Sequence, residues 1–223
     1  MVQRLKTRER IVQNSLELFN RQGERSVSTN HIAAHMEMSP GNLYYHFANK
    51  QEIVAVLFEQ FQAKVEGFLQ LPEGRVPTID DMRDYLLALL EVMWSYRFFY
   101  RDLEHLLESD PALTARYQQF TRRCLHQGQA IYAGFVEAGI LRLDAVGLEA
   151  LALNAWIVLT AWIRHLCTSS APTARLDEQA LKRGVYQVLM LQSGYITAPW
   201  GQAVQALAEE FYVPLNLLHP AGA

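Results

Sequence analysis

Apolar residues three and four positions apart recur along almost the whole chain, and nowhere do they alternate with polar ones as a half-buried strand requires. Ile79, Met82, Leu86, Leu89 and Met93 form one such stripe, and Leu113, Tyr117, Phe120, Cys124, Ile131 and Phe135 form another. A helical stripe of this kind is buried against other helices, so the pattern predicts an all-α fold. With 223 residues, half of them hydrophobic, the chain is long enough to enclose a core without staples.

Punctuation divides the helices. Ile11, Ser15, Leu18 and Phe19 mark the inward face of a first helix that ends at Gly23. "STNHIAAHM" predicts a very short second helix capped by Ser28 or Thr29, with Ile32, Ala33 and Met36 inward. Ser39 and Pro40 then supply an N-cap and a first-turn proline for a third, running to about Phe47. "NKQE", Asn49 to Glu52, is a capping box opening a fourth. A boundary between two functional parts falls near Lys50, dividing the chain into 1–50 and a larger helical body, 51–223. Beyond the break "LPEGRVP", helices are predicted from "TIDD", from "SDPAL", over Leu148 to Cys167, over Leu176 to Gln192 and over Gly201 to Phe211.

Composition excludes several classes. The two cysteines, Cys124 and Cys167, lie in apolar helical stretches without metal-type spacing, and no segment reads as a signal peptide. A reduced, cytoplasmic protein with neither metal nor cofactor is expected. The apolar run from Ala150 to Ile163 is shorter than the roughly 20 residues needed to cross a bilayer, so no membrane partner is expected. The formal net charge of −3 conceals an asymmetry. Residues 1–50 hold seven basic against four acidic residues, and the remainder thirteen against nineteen. That distribution suits a basic module facing a polyanion and an acidic body facing away from it.

"SPGNLYYHF", Ser39 to Phe47, carries the chemistry. Leu43 and Phe47 share one helical face, which leaves Gly41, Asn42, Tyr44, Tyr45 and His46 for a polar, aromatic surface without carboxylates. Two short helices joined by a tight turn, the second carrying such a surface, form a helix-turn-helix. The stretch "STNHIAAHMEMSPGNLYYHFANKQEIV" resembles the DNA-binding segment of the TetR family of transcriptional regulators, through Leu43, Tyr44, Tyr45, His46, Phe47 and Lys50. One position departs from the pattern: Glu37 stands in the turn where the family usually has a small residue or glycine, so either the turn is wound differently or a side chain is strained there.

The N-terminal end of a helix in the major groove reaches base edges, which makes Gly41, Asn42, Tyr45 and Pro40 candidates for readout and Asn30 a further one. Tyr44, His46, Lys50 and Thr29 are candidates for phosphate oxygens. Each of the tyrosines could instead be packing, His46 could be a capping histidine, and Lys50 a solvated lysine at a helix start.

The resemblance implies a repressor acting as a homodimer on a palindromic operator in double-stranded DNA, with a body pocket for a small-molecule effector. The aromatic stretch "MWSYRFFYRDLEH" is expected to line that pocket, with Met93, Trp94, Phe98, Arg101 and His105 joined by Trp156 or Trp162, favouring an apolar or aromatic ligand. The helices around Ala150 to Ile163 and Leu181 to Leu191 are the candidates for a four-helix dimer bundle, and a charge at Ala155 or Val188 is expected to split or unfold it. The competing class is a helical small-molecule-binding protein or enzyme whose helix-turn-helix is structural. "RDLEHLLE" supplies titratable groups for it, but no nucleophile motif, phosphate loop or catalytic residue set accompanies them.

Overall fold

A computed structural model describes residues 6–169 and 176–215. Ten α-helices are found among them. In chain order they are α1 (Thr7–Gln22), α2 (Thr29–His35), α3 (Pro40–His46), α4 (Lys50–Phe68), α5 (Ile79–Ser95), α6 (Arg97–Ser109), α7 (Pro111–Glu137), α8 (Ala145–Ser169), α9 (Glu178–Leu191) and α10 (Gly201–Phe211). Two short 3-10 turns, Ser193–Tyr195 and Ala198–Trp200, lie between α9 and α10. The described residues contain no strand beyond an isolated bridge between Leu141 and Ile196.

The chain forms two compact units. One unit reaches from the N-terminal end to Lys64 and includes Ser95–Tyr117; the other takes Val65–Trp94 and Gln118 onward. The segment carrying α6 therefore belongs with the helix-turn-helix.

The first unit is centred on Ile11, Phe19, Ile32, Leu43, Phe47, Ile53 and Leu57, all at most 1% exposed. An aromatic cluster extends this core. Phe19 lies 5.3 Å from Phe98, Phe98 lies 4.2 Å from Phe99, and Phe58 meets Phe99 edge-on at 5.8 Å. The break between α5 and α6 has no glycine or proline. It is held by the side chain of Asn20, whose Nδ2 donates to the Ser95 carbonyl at 2.8 Å while its Oδ1 accepts from Phe98 N at 3.1 Å. One buried amide thus satisfies an orphan carbonyl at the end of α5 and an orphan N–H at the start of α6.

In the second unit α8 and α9 pack side by side. Gly184 makes this possible, because a Cβ there would stand 2.4 Å from Trp162 Cδ1. The Trp162 indole also donates to the Ala180 carbonyl at 2.8 Å. Helix α8 is longer than the apolar run that marks it in the sequence, and by length and composition it is apolar enough to cross a membrane. Leu151, Ala155, Ile163 and Leu166 on one face of it are buried in the unit's core, while its opposite face is exposed.

Candidate nucleic-acid interface

Helix α2 begins where Ser28 Oγ accepts from His31 N at 3.2 Å, and α3 where Ser39 Oγ accepts from Asn42 N at 3.2 Å with Pro40 in its first turn. Between them the chain turns through a left-handed residue. Glu37 has φ +53, and it is the one non-glycine with positive φ among the described residues. Glu37 N donates to the Ala34 carbonyl at 3.1 Å and Met38 N to the Ala33 carbonyl at 3.0 Å. These are the paired bonds of a Schellman stop, a motif that glycine normally completes. The turn is therefore wound in the usual way and the side chain carries the strain, about 1–2 kcal/mol.

Leu43 and Phe47 anchor α3 in the core, and the opposite face stands clear. Tyr45 is 84% exposed and Tyr44 49%, whereas ring packing alone would have buried them. Tyr44 OH is 3.0 Å from Thr29 Oγ1, which ties the exposed faces of α2 and α3 together. His46 meets the Tyr45 ring edge-on at 5.2 Å. Asn30, Pro40, Gly41 and Asn42 are all exposed. A Cβ at Gly41 would meet nothing within 4 Å, so the fold does not demand glycine there. Its bareness suits close approach by another molecule.

Lys50 is placed differently from the expectation of a phosphate contact. Its Nζ lies 2.8 Å from Glu24 Oε1 and donates to the Glu24 and Val27 carbonyls, each at 2.9 Å. All three ammonium hydrogens have acceptors within this chain, and the side chain is 22% exposed. The reason is local. A cation at the start of α4 opposes the helix dipole unless an anion compensates it, and the Glu24 carboxylate, 6% exposed, is that anion. Asn49 caps α4 by accepting from Glu52 N at 2.9 Å, while Glu52 reaches back to Ala48 N rather than to Asn49.

Three residues expected to line a ligand pocket are instead part of this N-terminal unit. Arg101 Nη2 donates to the Phe19 carbonyl at 2.6 Å and its Nη1 lies 3.5 Å from the Asn20 carbonyl, capping the C-terminal end of α1. Asp102 accepts from Glu24 N at 2.8 Å and from Arg101. His105 Nε2 is 3.6 Å from Glu24 Oε2, and Phe98 packs on Phe19. Arg101 thus binds α6 to the end of α1, and Asp102 and His105 bind it to Glu24 just beyond. Among the described residues no group of three His, Cys, Asp or Glu is placed to hold a metal ion.

The second unit contains a cavity of about 120 Å³ lined by α4, α5, α7, α8 and the end of α9. Leu69, Leu86, Cys124, Tyr132, Trp156 and Gln192 are among its walls. Trp156, edge-on to Phe120 at 5.9 Å, is the one residue of the expected ligand set that lines it. Met93 is fully buried elsewhere, Trp94 is half-buried and does not line it, and Trp162 is committed to Ala180 and Gly184. Ala155 and Val188, expected on dimer faces, are buried and line the cavity too. Burial pushes the Cys124 thiol up to about 12, aided by the Glu66 carboxylate, and burial also raises the Tyr132 phenol.

A helix-turn-helix with an exposed, carboxylate-free recognition face, followed in the chain by a larger helical unit, has the form of a DNA-binding regulator. The sequence matches the family described as "Bacterial regulatory proteins, tetR family" over residues 11–57 and "TetR: Bacterial transcriptional repressor" over 60–204. The chain belongs to the TetR family of transcriptional regulators. A TetR-family regulator from Marinobacter aquaeolei VT8 is 44% identical, with TM-score 0.86 over 94% of this chain and all of that one. The transcriptional regulator UidR of Escherichia coli K12 is 28% identical over 41% of this chain, and the match spans 46% of UidR, a little under half its length. The fold is shared with SmeT, solved as its triclosan complex, at 19% identity and TM-score 0.59 over 97% of this chain and 99% of that one. It is shared also with the ketosteroid regulator KstR2 of Mycobacterium tuberculosis, at 18% identity and TM-score 0.62 over 87% of this chain and 97% of that one.

Proposed function

We propose that this regulator is a cytoplasmic repressor that binds a palindromic operator in double-stranded DNA as a homodimer and is released by a small, largely apolar ligand. The observation that carries the reading is the bare outer face of α3, where Tyr45 is 84% exposed beside Asn42 and Gly41 while Leu43 and Phe47 fix the helix from beneath. Residues 1–50 carry DNA binding in this reading, and the rest of the chain carries ligand binding and dimerisation. Asn42 pairs with a base edge, Tyr45 touches a thymine methyl, Gly41 and Pro40 allow the approach, and Asn30 reaches the same groove. Tyr44, Thr29 and His46 contact phosphates, and Lys50 holds the loop between α1 and α2 from within.

The dimer forms through the outer side of α8, where Val146, Leu153 and Ile157 are 76%, 44% and 51% exposed at helical spacing. An effector in the cavity acts by binding the DNA-incompetent state more tightly, with about 1.4 kcal/mol of difference for each tenfold loss of operator affinity. The names of the triclosan-bound and ketosteroid-regulating neighbours agree with an apolar effector.

Selection of bound DNA from a random pool tests the reading, followed by titration of single-base operator variants. A palindrome is expected, and Asn42→Ala should relax preference at one base pair per half-site. An asymmetric site, or an Asn42→Ala protein that binds every variant as wild type does, would remove α3 as the reader.

A further inference from the structure

A polar recess of about 150 Å³ adjoins the cavity of the second unit, lined by Glu66, Leu69, Gln70, Arg123, Cys124 and Gln127. Leu69 and Cys124 are walls of both spaces. Arg123 Nε donates to Glu66 Oε1 at 2.8 Å, which joins α7 to α4, and the two side chains are 46% and 35% exposed. Cys124, behind them, is 4% exposed. The Glu66 carboxylate raises its thiol and the Arg123 guanidinium lowers it, so both charges stand close to this wall. Helix α4 ends at Phe68, which leaves Leu69 just past the last turn, where backbone bonds are fewest and local opening costs least.

From these observations we propose that the effector enters and leaves the cavity between α4 and α7, past Leu69 and Cys124, and that the Glu66–Arg123 pair is the latch on this entrance. The proposal rests on the reading of the cavity as the effector site. The wall at this point is one leucine beyond a helix end and one thiol, and the recess outside it is the space into which they can move. The ion pair spans the two helices that must part. Because the pair is made whether the cavity is filled or empty, it acts on the rates of entry and release and not on affinity. An exposed pair holds its partners weakly, so breaking it raises the open fraction by no more than about fivefold.

Cys124 is itself the reporter. The full-length protein is treated with methyl methanethiosulfonate, and modification of the peptide containing Cys124 is followed by mass spectrometry. Glu66→Gln combined with Arg123→Gln removes the latch, and Cys124 should label about fivefold faster. Glu66→Arg combined with Arg123→Glu rebuilds the pair in reverse and should return the rate to within about twofold of wild type. A purely electrostatic influence on the thiol predicts a different order, with the reversed pair fastest, because a guanidinium then replaces the carboxylate that holds the thiol up. Arg83→Gln combined with Glu210→Gln breaks an exposed 2.8 Å pair between α5 and α10 of the same unit and should leave the rate unchanged. Labelling faster with the reversed pair than with the neutral one, no change in the neutral variant, or equal acceleration by the α5–α10 control would overturn the entrance. Benzene, a single-ring probe for a cavity of this size, should slow Cys124 labelling in the wild type. Absence of that protection would overturn the effector-site reading, while the three variants still decide the route.

Discussion

Replacing Lys50 separates two roles that the sequence leaves side by side. Lys50→Met removes the ammonium from Glu24, whose carboxylate is 6% exposed and otherwise faces only His105 at 3.6 Å. Breaking one side of a buried ion pair costs roughly 3–5 kcal/mol, because the remaining charge has neither water nor partner. Lys50 is itself 22% exposed, so water can enter part of the vacated space, and the low end of that range applies. The expected loss is about 3 kcal/mol, or more than a hundredfold in the folding equilibrium of the N-terminal unit. Urea denaturation should report it, together with faster hydrogen exchange at the amides of Glu24 and Val27. The double variant Glu24→Gln with Lys50→Met should recover much of the loss, since it leaves no unpaired charge. The salt dependence of operator binding by the fraction that remains folded should be unchanged. A Lys50→Met protein as stable as wild type, with a salt slope shallower by about one unit, would refute the argument and return Lys50 to the phosphates.

Glu37→Gly should stabilise the protein by roughly 0.5–1 kcal/mol, the relief of left-handed strain less the added chain entropy of glycine, and an unchanged urea midpoint would mean that the turn stores no strain. Ile157→Glu should convert the homodimer to folded monomers, because the side chain is 51% exposed in the protomer and its loss costs little there; a wild-type monomer at micromolar concentration by sedimentation would sink the dimer proposal. In native protein at pH 8, iodoacetamide should label exposed Cys167 at least about a thousandfold faster than Cys124, whose thiol burial holds near 12; comparable labelling, followed by mass spectrometry, would mean that the cavity is open to reagent.

The parts of this molecule legible in its sequence are those written locally. Ser28, Ser39, Pro40 and Asn49 act on neighbours within a few residues, so the starts of α2, α3 and α4 could be read directly. Glu37 was legible as a conflict but not as an outcome, because its backbone angle is decided by Ala33 and Ala34 carbonyls needing donors as much as by its own side chain. The break between α5 and α6 left no local trace, since the residue enforcing it, Asn20, lies 75 residues from Ser95.

The same distinction explains why the expected ligand residues divided as they did. Arg101 and His105 have the chemistry of a head-group site, and nothing in their own stretch shows that their acceptors come from the end of α1 and from Glu24. Hydrophobic periodicity could not separate them from Trp156, because it marks which face of a helix is buried and not which other helix that face meets. The consequence for function is specific. Arg101, Asp102 and His105 join α6 to the end of α1 and to Glu24 just beyond it, while the cavity is left with neutral walls. A carboxylate effector would therefore lack any counter-charge in that cavity, and a charged compound that regulates this protein would have to act at some other place.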